Sequence, residues 1–172
     1  VIILAEKFLT SIGIRKELFL QINSLGNLES RNKYLVELKK FLKSNSSFLS
    51  EESKKKIDSN TLRILDSKNE KDMRILESSP KISDFLDDES MSFFKKIVDT
   101  LGSLNISFKI NPLLVRGLDY YNHTTFEYIF SDKKSQNAIL AGGRYDGLVK
   151  SMGGSDLAGV GWAAGIERIL ML

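Results

Sequence analysis

At the start of the chain Val1, Leu4, Ala5, Phe8, Leu9 and Ile12 recur at the spacing of one helix face, and Gly13 stands where a C-terminal cap belongs. That pattern predicts an amphipathic helix. Leu18, Leu20 and Ile22 then alternate with Phe19, Gln21 and Asn23, which predicts a strand closed by turn residues at 24–27. Over 28–105 the chain turns lysine- and serine-rich and its apolar positions return to helical spacing. Tyr34, Leu35, Leu38, Phe41 and Leu42 make one stripe; Phe94, Ile97, Val98 and Leu101 make another, ending at Gly102. Between them, the serine-rich 44–47 and the run Lys54, Lys55 and Lys56 have few large apolar neighbours, which predicts long loops there. Beyond Gly102, Ile106, Phe108 and Ile110 alternate, and so do Phe126, Tyr128 and Phe130. Short strands are predicted over 138–140 and 159–163, each beside glycines, and a helix from Ile166.

A strand, a helical block, several strands and a closing helix do not make an alternating βαβ pattern. The expected class is α+β, with a mostly antiparallel sheet interrupted by a helical insertion. The boundaries fall at 1–27, 28–105 and 106–172.

Composition narrows the picture only a little. A chain of 172 residues, 42% of them hydrophobic, can bury one sizeable core. The net charge of +3 and pI near 9.0 suit an anionic partner without requiring one. With no cysteine there is no disulfide framework, thiolate chemistry or cysteine zinc site. No apolar run approaches the roughly 20 residues that cross a bilayer. The opening VIILAEKFL lacks a signal-peptide pattern, and the closing GIERILML stops inside a helical pattern, so a stretch from within a longer chain is expected.

The candidate chemistry gathers in the last third. In LVRGLDYY, 114–121, Gly117 allows a sharp turn that lets Arg116 and the following tyrosines converge. An arginine keeps its charge and forks onto carboxylate or phosphate oxygens, so it suits charge that builds up in acyl or phosphoryl transfer; an ion pair with Asp119 is the plainer reading. Strand alternation puts Tyr121, His123, Thr125 and Glu127 on one face, either a pocket floor or a half-exposed sheet face. In AGGRYDGL, 141–148, the outer glycines have phosphate-loop spacing, but Leu148 and Val149 stand where lysine and serine or threonine are needed, which excludes that loop. Gly142 and Gly143 still mark a close backbone approach to a ligand or a strand, or a tight turn. In GVGWAAGIERIL, 159–170, small residues lead to Gly165 and a helix whose Arg168 can reach a nucleotide or pair with Glu167 or a distant acid. His123, the only histidine, has no ligand cluster around it, so no metal site is expected. Lys54, Lys55 and Lys56 fit either a solvated face or a phosphate contact.

Together and in this order, LVRGLDYY, AGGRYDGL and GVGWAAGIERI resemble the two histidine-specific motifs and motif 3 of the class II histidyl-tRNA synthetases. INSLGNLESR, 22–31, and LRILDSK, 62–68, resemble segments in and around the bacterial members' helical insertion. The resemblance covers essentially the whole chain. It implies that 1–27 and 106–172 are parts of a catalytic core around an insertion domain at 28–105. It also implies ATP-dependent activation of histidine, with magnesium accompanying ATP, followed by transfer to tRNA-His in the cytoplasm by a homodimeric parent.

By the same resemblance Arg116 is the catalytic arginine. Tyr120, Tyr121, Gly142, Gly143 and Tyr145 bind histidine, Gly165 and Arg168 bind ATP, and Lys54, Lys55 and Lys56 face the tRNA acceptor end. Phenols suit such a pocket, because a site that hydrogen-bonds a substrate nitrogen rejects analogues that leave its own polar group unpaired. Nothing in the chain resembles motif 1, motif 2 or the anticodon-binding domain, so this stretch alone is expected to be catalytically incompetent. Two rival readings remain: a synthetase-like, histidine-binding regulatory subunit of an ATP phosphoribosyltransferase, and a stand-alone module for the tRNA acceptor end. Retention of Arg116, Arg168 and the insertion speaks against the regulator.

Overall fold

A computed structural model describes residues 1–116, 120–130 and 138–172. Helix α1 (Ile2–Ser11) ends two residues before Gly13, whose φ of +84° is the left-handed turn expected after a helix C-terminus. Strand β1 (Leu18–Ser24) leads through Gly26 into α2 (Leu28–Ser44), α3 (Glu51–Lys56), α4 (Glu70–Glu77) and α5 (Asp88–Ser103). Each of these four helices starts on a polar cap. The side chains of Asn27, Ser50, Asn69 and Asp87 accept the amide N–H of Ser30, Ser53, Lys71 and Ser90.

The long loops expected in the middle of the block do not occur. Residues 46–48, 61–66 and 82–85 form short 3-10 turns between the helices, and Leu49, Ile57, Leu62, Ile64, Leu65, Leu76 and Ile82 are buried together with Tyr34, Leu38 and Leu42. These apolar residues lie one to three at a time on short elements, so no helical stripe announces them.

The remaining strands are β2 (Phe108–Ile110), β3 (Asn122–Phe130), β4 (Ala138–Arg144) and β5 (Val160–Ala164), with α6 (Leu148–Ser151) and α7 (Ile166–Leu170) beside the last. The sheet runs β2-β1-β3-β4-β5; β1 and β2 are parallel and the other described pairs antiparallel, as an α+β chain of this pattern predicts.

Register sorts the two faces into rows. Ile22, Phe126, Gly142 and Trp162 align across the strands, and so do Leu20, Tyr128, Leu140 and Ala164. This face buries its apolar side chains under α1, through Ala5 and Leu9, and under α5, through Phe94, Ile97, Val98 and Leu101. The opposite face carries Asn23, Thr125, Gly143 and Gly161 in one row and Gln21, Glu127, Ala141 and Ala163 in the next. Those rows are polar or small, so they make a polar floor rather than an apolar core, with Asn23 and Thr125 buried and Gln21 and Glu127 half-buried.

Candidate functional site

The floor is reached by the segment that follows β2. Asn111 continues the pairing with β1 by donating its N–H to Ile22 O at 3.0 Å, and its side chain donates to Gln21 Oε1 at 2.7 Å. Asn23 donates to the carbonyls of Pro112 and Leu114 at 3.3 and 3.0 Å. With Leu114 and Val115 buried beside it, this polar row fixes where Arg116 leaves the sheet.

Arg116 Nη1 donates to Glu127 Oε1 in an ion pair across the floor, and its guanidinium carbon lies 5.9 Å from the centre of the Tyr121 ring. Its Nε is buried and has no hydrogen-bond partner among the described residues, and neither has Thr125 Oγ1 in the adjoining row. Asp119, the partner of the plainer reading, lies outside the described residues together with Gly117 and Leu118.

Three phenols close over the same place. The ring centres of Tyr120 and Tyr121 are 4.8 Å apart, and Tyr145 stands edge-on to both at 6.0 and 5.9 Å. Burial pushes the Tyr121 phenol up from its ordinary value, with Tyr120 adding to the shift and Arg116 opposing it, so it is a hydroxyl donor at neutral pH. Burial likewise raises the Glu127 carboxyl, against the pull of Arg116.

Gly142 and Gly143 do not form a turn. They lie inside β4 and serve the other reading of paired glycines, a close approach to the backbone. A Cβ on Gly142 would stand 2.7 Å from Trp162 Cβ on the core face, and one on Gly143 would stand 2.9 Å from Tyr121 Cδ1 on the floor. Gly159 and Gly161 have the same purpose on and beside β5. Tyr145 donates its backbone N–H to Gly159 O at 2.8 Å, and its hydroxyl would be 2.7 Å from a Cβ on Gly161. The glycines therefore let aromatic rings lie close against the sheet.

The structure does not gather every candidate. Arg168 donates to the carbonyl of Ala138 at 2.5 Å and packs its stem on Gly165, 3.3 Å from where a Cβ would sit. Ala138 is at the far end of β4 from Arg144, roughly 20 Å away at about 3.3 Å per residue, so Gly165 and Arg168 stand apart from the phenols. Lys54 and Lys56 pair along α3 with Glu51 at 2.6 Å and Glu52 at 2.5 Å.

His123 leaves the face that strict alternation assigns to it beside Thr125. Its φ is +46°, the pairing of β3 with β4 shifts between Asn122 and Thr125, and its ring packs against Phe93 of α5 at 5.5 Å. That bulge reverses the alternation, which strict period-two reading misses. Sequence reasoning puts Glu127 on a possible pocket floor without a role of its own, and it does not pair Gly159 or Gly161 with the Tyr145 ring that lies against them.

The mostly antiparallel sheet thus carries an arginine and a cluster of phenols beside one face. It superposes on apo histidyl-tRNA synthetase of S. aureus with a TM-score of 0.73 at 30% identity, covering 99% of this chain and 41% of that one. Residues 9–169 match the family described as histidyl-tRNA synthetase, and the chain belongs to that family. Among curated relatives, the histidine–tRNA ligase of Rhodospirillum rubrum is 45% identical over the whole of this chain, and that of Wolbachia pipientis is 48% identical over 98% of it. The chain spans about 41% of the length of each. A Bacillus halodurans protein described as an ATP phosphoribosyltransferase regulatory subunit/histidyl-tRNA synthetase matches at 16% identity and a TM-score of 0.54, which shows the fold alone.

Proposed function

We propose that the protein to which these residues belong is a histidine–tRNA ligase. In the first step the histidine carboxylate attacks the α-phosphate of ATP and releases pyrophosphate; in the second the histidyl group passes to the terminal ribose of tRNA-His. The observation that carries this reading is the half-buried Arg116, paired with Glu127 and lying beside Tyr121 of a three-phenol cluster. A guanidinium already fixed at that place stabilises negative charge developing on carboxylate and phosphate oxygens without reorganising. Tyr120, Tyr121 and Tyr145 take the imidazole, with Gly142 and Gly143 letting strand and ring close on it. Arg168 and Gly165, at the other end of β4, take ATP.

The residues fit ATP as a substrate, since a cation and small side chains line the open face. Among the described residues no group of three or more His, Asp or Glu side chains is placed to hold a metal ion, so in this reading magnesium travels on the ATP phosphates. The same proposal keeps 1–27 and 106–172 as core parts around an insertion at 28–105 that meets the tRNA acceptor end, with α5 lying against the sheet. It also includes a homodimeric, cytoplasmic parent. No described helix is long and apolar enough to cross a membrane.

The test is histidine-dependent ATP–pyrophosphate exchange by the full-length protein and by its Arg116→Ala variant. A folded variant with exchange reduced by about 100-fold or more supports the reading. Exchange equal to that of the unsubstituted protein removes Arg116 from the chemistry, and no exchange in the unsubstituted protein favours a regulator.

A further inference from the structure

We infer that Glu127 is the positioning residue for Arg116: from the centre of β3 it grips one terminal nitrogen of the guanidinium and so sets the orientation in which the cation meets the substrate. The inference rests on the function proposed above and extends it to a residue that no motif singled out.

Three observations meet here. The Arg116 side chain is 25% exposed and that of Glu127 17%, so the pair is shielded and its geometry is not that of a loose surface contact. Glu127 sits on a strand hydrogen-bonded on both sides, opposite Gln21 of β1 and Ala141 of β4, whereas Arg116 leaves the sheet at the end of a connecting segment. The strand-borne carboxylate therefore orients the arginine of the connecting segment. Arg116 donates to Glu127 through Nη1 and also interacts with the Tyr121 phenol, whose ring lies 5.9 Å from its guanidinium carbon, while its Nε is buried with no hydrogen-bond partner among the described residues. An arginine oriented through one terminal nitrogen still has further donors that can turn to a carboxylate or phosphate. The carboxylate behind it also offsets the cost of keeping that cation out of water before substrate arrives.

A side chain that acts through Arg116 should matter only while Arg116 is present. The experiment is a double-mutant cycle in the full-length protein, with Glu127→Gln, Arg116→Ala and both together. Its readouts are pyrophosphate-exchange kcat, KM for histidine, and the rate at which phenylglyoxal labels Arg116, mapped by mass spectrometry. Expected are a kcat loss of about 10- to 100-fold for Glu127→Gln, smaller than loss of the donor itself, a lesser change in KM, several-fold faster labelling, and no further loss when Glu127→Gln is added to Arg116→Ala. Glu127→Asp, which retains the charge, should restore part of the rate and serves as the comparison if Glu127→Gln does not fold. An equal proportional loss in the Arg116→Ala background, or unchanged labelling in the folded variant, overturns the inference. If the unsubstituted protein shows no exchange, the functional reading fails, and the labelling rate alone then decides whether Glu127 positions Arg116.

Discussion

The ring of Tyr121 lies against the backbone of Gly143 so closely that a Cβ there would stand 2.9 Å from Tyr121 Cδ1 and 2.7 Å from the carbonyl oxygen of Thr124. The ring has some freedom to swing; the carbonyl, built into β3, has little. Gly143→Ala must therefore separate β3 from β4 locally and push the phenol out of line. The expected cost is about 1–3 kcal/mol in denaturant unfolding, together with weaker histidine affinity in calorimetry on the full-length protein. A variant that unfolds and binds like the unsubstituted protein would show that the ring contact is incidental.

Gly161 makes a contrasting case on the neighbouring strand. A Cβ there meets the Tyr145 hydroxyl at 2.7 Å and nothing else nearer than 3.7 Å, so only the end of one side chain has to move. Gly161→Ala is expected to leave stability within about 0.5 kcal/mol while raising KM for histidine, because the displaced group belongs to the proposed pocket. A fall in stability with unchanged KM would assign Tyr145 to packing instead.

These two glycines show where the sequence is legible and where it is not. The apolar alternation of Leu20, Ile22, Phe126 and Tyr128 reveals the buried face, because burial of every second side chain leaves a period of two. The nearness of Arg116 to Tyr120 and Tyr121 is legible from their closeness in the chain, whereas Tyr145 joins them only through the family motifs. What the sequence hides depends on partners distant along the chain. Gly142 and Gly143 look like a bend until β5 is known to run beside them. His123 looks like a floor residue until its positive φ turns it to the other face. The core of the helical block is hidden because its apolar residues are scattered over turns too short to have a period.

His123 supplies a test of that turned backbone. Its N–H donates to Gly26 O at 2.8 Å and its carbonyl accepts from Leu25 N–H at 2.6 Å, so φ of +46° is tied to the start of the helical block. Asparagine tolerates that conformation and a β-branched residue does not. His123→Asn is expected to cost no more than about 1 kcal/mol and His123→Val about 1–3 kcal/mol above that, read from urea midpoints. Equal midpoints would mean that the backbone relaxes freely at this bulge.

The lysines of α3 yield a prediction about nucleic acid. Lys54 and Lys56 are partly neutralised by Glu51 and Glu52, so their attraction for phosphate is weakened before RNA arrives. Under the proposed placement against the acceptor end, replacing Glu51 and Glu52 by glutamine should tighten binding of tRNA-His, and replacing Lys54, Lys55 and Lys56 by alanine should weaken it. In the alanine variant the slope of log affinity against log salt should shallow by about 0.7–0.9 for each phosphate that is no longer neutralised. Unaltered affinity and slope in both variants would place this helix away from the RNA.

Asp72 is fully buried in the helical block, and its carboxylate accepts four hydrogen bonds: Ser50 N–H at 2.7 Å, Ser50 Oγ–H at 2.7 Å, Ser53 Oγ–H at 2.6 Å and Ser67 Oγ–H at 2.7 Å. Burial alone would push this carboxyl up, but the hydrogen bonds outweigh it and hold the group below its ordinary 3.8. A depressed folded value means that the unfolded chain takes up the proton first. The stabilisation is therefore complete above the unfolded value and is lost as pH falls through the folded one. Ser50 caps α3 and Ser67 follows the 3-10 turn at 61–66, so one carboxylate joins elements separated by some twenty residues and substitutes for the apolar stripe that this part of the block lacks. Asp72→Asn keeps the shape but not the charge, and it turns an N–H₂ toward hydroxyls that now donate. The expected loss at pH 7 is about 2–4 kcal/mol. Followed by circular dichroism against urea, the gap between the two proteins should be widest near neutrality and should close as the pH is lowered below 3.8, through the folded value. A gap that stays constant down to low pH would mean that packing around Asp72, and not its charge, holds these helices together.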